Sequence, residues 1–188
     1  GEEQTAILAI YGVVCNIVAL VQSLGYAVGQ ASQPLIAENF GANQFHQVKK
    51  FLKYGILASA LISLIAVLFL ELFPSEILQI FLKVEEGSLI LLLCNSIERR
   101  YFFSFIFLGF NVFTTYYFQS ILKARYAFIV SLLRGVVLAF SFLFLLPFLF
   151  GFSAIWYTML VTEGIIFVIN LILVIRTYQN LELKEVHD

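Results

Sequence analysis

Two ionisable side chains stand alone inside long apolar runs: Arg134, in SLLRGVV, and Glu163, in WYTMLVTEGII. An ionisable group removed from water is expensive, so such a residue is read first as a functional one. Glu163 could take up and release a proton, or bind a cation. It could equally form a structural ion pair with Arg134, or stay protonated and hydrogen-bonded to a neighbouring helix. Arg134 has a long stem that could snorkel to an interface; otherwise it pairs with Glu163 or holds a helix end. A third apolar run carries Asn111, Thr114, Thr115, Tyr116 and Gln119. Asn111 and Thr115 are four apart, as are Thr115 and Gln119, which places all three along one helix face. That stripe suits a water-filled cavity or hydrogen-bonded packing between helices. Gln33-Pro34 completes the set, because a proline frees the carbonyl one turn earlier and either unwinds the turn into an ion-coordinating loop or kinks the helix.

Signatures of catalysis are absent. The sequence has no HExxH, no GxSxG, no glycine-rich phosphate loop and no acidic cluster for a metal, and its only aspartate is Asp188. An enzyme is therefore not expected. Cys15 and Cys94 stand apart in apolar sequence without a CxxC pattern, which predicts two small buried residues. His46 falls in a polar connector, where it is expected to be solvated. A net charge of −1 without a basic stripe argues against a nucleic-acid partner.

The elements that must position these residues follow from composition. With 61% hydrophobic and 12% charged residues, the chain carries too little charge to coat itself in water, where about a quarter is usual. A lipid bilayer is its expected surrounding, and the fold class is an all-α integral membrane protein. A helix needs about 20 apolar residues to cross the hydrocarbon core. Five spans are predicted, at about 5–36, 54–70, 101–122, 126–146 and 152–175, making a transmembrane bundle over 1–176. The segment 71–100 is predicted as an extracellular loop with short interfacial helices, and 177–188 as a cytoplasmic tail. Connecting segments on one side hold Lys49, Lys50, Lys53, Lys123, Arg125, Arg176 and Lys184, against Lys83, Arg99 and Arg100 on the other. That asymmetry places the C-terminus of a multi-pass cell-membrane protein in the cytoplasm, with the lysines of 49–53 against anionic headgroups. Five spans, an outside N-terminus and a first residue other than Met read as the remainder of a longer protein.

Several stretches in this order resemble the C-terminal lobe of the multidrug and toxic compound extrusion (MATE) transporters: QPLIAENFGA, FLGFNVFTTYYFQSILKARYAFIVSLLRG and LPFLFGFSAIWYTMLVTEG. The resemblance implies twelve helices in two six-helix lobes around a central cavity, with this chain holding the last five helices and the N-terminal lobe as its missing partner. It also implies antiport of drugs or organic cations out of the cell in exchange for sodium or protons, without a cofactor. Gln33, Asn111, Gln119, Arg134 and Glu163 fall on family motif positions and are carried over as cavity-facing or structural polar residues. The acidic cation-binding position of the family's tenth helix has no counterpart in Tyr101 to Leu122, so no cation site is carried over. Two alternatives stand beside this reading. A flippase for lipid-linked sugars of the same superfamily would want several cations lining its cavity, and only Arg134 lies inside a span. The other is a non-transporting membrane fragment or interaction subunit.

Overall fold

The computed structural model describes residues 2–73, 76 and 103–187, and these form helices, with tight turns where the described chain connects them. Helix α1 is Glu2–Gly41, α2 is Phe45–Leu72 and α3 is Phe105–Ser120. Helix α4, Ala124–Leu132, continues through a π segment, Leu133–Leu138, into α5, Ala139–Phe150. A 3₁₀ turn, Phe152–Tyr157, then leads into α6, Thr158–His187. Most of the expected loop at 71–100 lies outside the described residues, together with Cys94, Tyr101 and Phe102.

Among the described residues four rods are long and apolar enough to cross a membrane: Tyr11–Gly41, Phe45–Leu72, Ala124–Phe150 and Phe152–Glu185. At 1.5 Å per residue about 20 residues span the hydrocarbon core. The 40 residues of α1 and the 30 of α6 therefore project beyond it. Two prolines lie inside helices. Helix α1 stays helical through Gln33 and Pro34 without an unwound turn. Pro147 lies inside α5, which ends only at Gly151, where φ is +85°.

The bundle is organised around α3, whose sixteen residues are mostly buried. Helix α1 presents Val13, Ile17, Val21 and Ile36 to it, and α2 presents a stripe from Phe45 through Leu52 to Val67 and Leu70. The apolar residues form two clusters. One joins Val13, Ile17 and Val67 to Phe105, Leu108 and Val112; the other joins Ile36 and Leu52 to Phe113, Tyr117 and Phe118 and to Val174 of α6. Helices α2 and α3 approach closely because small residues line the seam at four-residue intervals. Gly55 lies under the Phe113 ring, and Gly109 lies against Ser59 and Ser63.

The surface divides by composition. Helix α2 exposes Leu57, Leu61, Leu64 and Leu68, and α5 exposes Phe140, Phe144 and Phe148, the last at 86%. No residue of the π segment or of α5 is buried. Water would not tolerate so much contiguous apolar surface, and lipid does. Helix α1 is mixed: Gly12, Asn16, Ala19, Ser23, Ala27 and Gln30 are exposed along it, and so are Leu20, Leu24 and Leu35. Cys15 also lies exposed there, contrary to the burial expected of it, because its position turns away from α2 and α3.

Two helix ends close with the same device. After α1, the Gln44 amide donates to the Asn39 carbonyl at 2.8 Å and the Asn43 amide to Phe40 at 3.2 Å, with Asn43 at φ 57°. After α3, the Lys123 amide donates to Phe118 at 2.8 Å and the Leu122 amide to Gln119 at 3.2 Å, with Leu122 at φ 59°. Both are Schellman caps, which want glycine or asparagine at the left-handed position. Asn43 meets that demand; Leu122, 81% exposed, does not. Replacing it by glycine should raise stability by about 1 kcal/mol in a detergent unfolding titration, since the left-handed penalty disappears and no buried contact is lost. Equal or lower stability of Leu122→Gly would show that the turn carries no strain.

These turns lie beside the last turns of α6 at one end of the bundle. Phe40 meets Phe45 edge to face, as Phe118 meets Tyr126, and Lys184 of α6 lies 5.7 and 5.5 Å from the Phe40 and Phe45 rings. Lys49 pairs with Glu185, and the Tyr117 hydroxyl lies 3.3 Å from Thr177 Oγ1. The seven basic residues counted on one side of the sequence therefore belong to one end of the bundle.

Candidate functional site

Glu163 occupies the second turn of α6 and is fully buried. Its Oε1 accepts a hydrogen bond from Arg134 Nε at 2.7 Å, and its Oε2 accepts one from Asn111 Nδ2 at 2.7 Å. The same Asn111 amide donates to the Glu163 backbone carbonyl at 2.9 Å. With its nitrogen facing two acceptors, Asn111 turns its Oδ1 toward Asn170, whose Nδ2 donates to it at 3.0 Å. Asn170 follows Glu163 by seven residues, two helical turns, so both lie on one face of α6. That face continues through Val174, Thr177 and Leu181, all buried.

Each partner comes from a different element. Asn111 is buried in the middle of α3, and Arg134 is the second residue of the π segment, its side chain 17% exposed. A π turn inserts an extra residue into the helical register and recurs at functional positions. Here it stands where a cationic side chain reaches the carboxylate, so Arg134 pairs with Glu163 rather than snorkelling. The desolvation of two charges is offset only when their remaining polar atoms are also bonded. Asn111 supplies that on the α3 side. The network is not fully closed: among the described residues Asn170 Oδ1 has no partner, and neither has Thr162 Oγ1 beside Glu163.

The other two candidates meet elsewhere. Gln33 Nε2 donates to Gln119 Oε1 at 3.3 Å, and the Gln33 carbonyl accepts from Ser120 Oγ at 3.3 Å. One turn earlier, Gln30 Nε2 lies 3.4 Å from the Tyr116 hydroxyl. These contacts open onto the surface along α1 and α3. The structure thus joins Glu163, Arg134 and Asn111 in one buried network and Gln33 and Gln119 in a second, exposed seam. Thr115, expected to extend the Asn111 stripe, returns its hydroxyl to the Asn111 carbonyl of its own helix at 3.0 Å. Asn170 is the member that sequence reasoning missed. The signal was present in the seven-residue spacing of Glu163, Asn170 and Thr177.

Chemically, the buried network ties α3, the π segment and α6 through one carboxylate. Any event that neutralises or displaces Glu163 would release all three at once. Among the described residues no three His, Cys, Asp or Glu side chains come together as a metal site.

A bundle of apolar helices around a central helix, with an internal ion pair, defines the chain as a lobe of a multi-pass membrane protein. The chain belongs to the MatE family, whose profile matches residues 4–145. Over 78 residues, 42% of this chain and 17% of the relative, it is 31% identical to the "Probable multidrug resistance protein YoeA" of Bacillus subtilis (strain 168). Its fold superposes with a TM-score of 0.84 on an outward-facing multidrug resistance MATE family transporter of the MOP superfamily, covering 95% of this chain and 40% of that one at 16% identity. It also superposes on the MATE multidrug transporter DinF-BH with a TM-score of 0.79, 24% identity and coverage of 89% and 37%. The chain thus spans about two fifths of the solved transporters it matches.

Proposed function

We propose that this chain forms most of the C-terminal lobe of a two-lobed exporter that moves drugs or organic cations out of the cell in exchange for sodium or protons. The observation that carries this reading is the unequal surface of the bundle. Helices α2 and α5 expose leucine and phenylalanine, as lipid demands, while α1 has a mixed surface, exposing Gly12, Asn16, Ala19, Ser23, Ala27 and Gln30 beside Leu20, Leu24 and Leu35. A face of that kind suits a water-filled cavity or a second lobe rather than lipid. The Gln33 and Gln119 seam opens on the same side and joins the cavity wall. The Glu163, Arg134 and Asn111 network lies behind it as the element whose rearrangement accompanies switching. The end of the bundle rich in lysine and arginine faces the cytoplasm.

The test is efflux in proteoliposomes containing the complete polypeptide, with a sodium or proton gradient imposed. Uphill movement of a cationic dye under one gradient is expected; no movement under either overturns the antiport reading. Thiol labelling examines the cavity face separately. In a chain with Cys15 and Cys94 replaced by serine, Ser23→Cys should react with a water-soluble maleimide, whereas Leu61→Cys on α2 should not. Equal protection at both positions would place α1 against lipid or protein and remove the cavity.

The flippase alternative receives no support from the site. Arg134 is committed to Glu163 rather than presented to an anionic headgroup.

A further inference from the structure

Between the first turns of α2 and the last turns of α6 runs a groove of about 790 Å³ whose lining changes character along its length. At its polar end stand His46, Lys49, Lys50 and Lys53. Their spacing of three, four and seven residues puts them on one face of α2. Farther along, the walls become apolar: Leu52 and Ile56 from α2 and Val174 and Ile175 from α6. Ile175 is 48% exposed, and the outer face of α2 continues through Leu57 and Leu61 at 56% and 50%. The apolar end of the groove therefore runs out onto the lipid-covered surface.

The charges do not cancel within the groove. Glu185 is committed to Lys49, with His46 Nδ1 also within 3.8 Å of it. Glu182 is the one acid of the lining itself, which also holds Lys49, Lys50 and Lys53. Lys50 lies 6.0 Å from the Tyr54 ring, and among the described residues Lys53 has no ion-pair partner. Tyr178, whose ring lies 5.7 Å from Lys49, flanks the same end. A net positive mouth leading into an apolar channel between two membrane helices is complementary to a molecule with an anionic head and hydrocarbon tails.

We propose that this groove seats one anionic phospholipid, its phosphate between Lys50 and Lys53 and an acyl chain along Ile56 and Ile175. The Lys49–Glu185 pair fixes the distance between the two helices and so sets the width of the slot. The site is independent of the transport reading, since it lies between α2 and α6 and uses none of the residues placed in the cavity wall or in the Glu163 network.

Native mass spectrometry of the full chain released from detergent, after equilibration with equal amounts of phosphatidylglycerol and phosphatidylcholine, tests the assignment. One retained phosphatidylglycerol is expected, in preference to phosphatidylcholine. The double variant Lys50→Gln/Lys53→Gln should reduce that retention about thirtyfold, given about 1 kcal/mol for each of the two basic residues near an anionic surface. Arg125→Gln, a charge outside the groove, should leave it unchanged. Ile175→Gln should weaken retention with every lysine in place, which separates a lipid slot from a bare anion site. Equal retention of the two lipids, no response to the double variant, or complete displacement of the lipid by millimolar inorganic phosphate would each overturn the proposal.

Discussion

Replacing Glu163 by leucine should destabilise the bundle by about 3 kcal/mol, and Arg134→Leu should also destabilise it, yet the two changes together should cost less than their sum. Each single change strands a charge or a hydrogen-bonding group in a site without water, which is the expensive case for a buried pair. In Glu163→Leu the Arg134 guanidinium loses its acceptor, and the Asn111 amide loses its carboxylate partner while keeping the backbone carbonyl. In Arg134→Leu the fully buried carboxylate keeps only Asn111. In the double variant neither charge remains, and leucine packs as well against apolar helices as the ion pair did. The measurement is a double-mutant cycle in a detergent unfolding titration, where a coupling of at least about 1 kcal/mol is expected for groups in contact. Additivity within about 0.5 kcal/mol would mean that the pair contributes no mutual stabilisation, and the network would lose its standing as the tie between α3, the π segment and α6.

The residues that formed this network were legible because of what they cost. A carboxylate and a guanidinium inside apolar runs draw notice in any reading, and each was expected to have the other as one candidate partner. Asn170 escaped because an uncharged amide among isoleucines and leucines carries less cost. The Asn111, Thr115 and Gln119 stripe failed as one surface for a geometrical reason: at 3.6 residues per turn, positions eight apart diverge by about 80° around a helix. Asn111 therefore faces α6 while Gln119 faces α1. The π segment left no mark, since leucine, glycine and valine fit either register and the choice follows from where Arg134 must reach. Burial was the least legible property. Phe113 and Phe118 are fully buried while Phe144 and Phe148 are 70% and 86% exposed, and lipid accepts a phenylalanine as readily as the protein interior does. Apolar run length could locate helices, but not say which of them would sit at the centre.

That central position makes the α2–α3 seam the place where a single methyl group should matter most. A Cβ added at Gly109 would lie 2.1 Å from Ser63 Oγ and 2.8 Å from the Ser59 carbonyl oxygen. The serine hydroxyl can rotate away, but the carbonyl belongs to the α2 backbone and can yield only if the helices separate. Separation would loosen Phe113 over Gly55 in the same seam. Gly109→Ala should therefore destabilise by about 2 kcal/mol, the usual scale for overpacking a tight interface. Gly25 provides the control, because its added Cβ would meet Val112 at 3.5 Å, an ordinary contact. Gly25→Ala should be neutral or gain up to about 1 kcal/mol from helix propensity. Combining Gly109→Ala with Ser63→Gly should restore only part of the loss, since it removes the hydroxyl contact and leaves the carbonyl. All three comparisons come from one unfolding series in detergent. If Gly109→Ala were tolerated as well as Gly25→Ala, close backbone approach would not be what holds α2 against α3, and the large side chains flanking the seam would have to carry that interface instead.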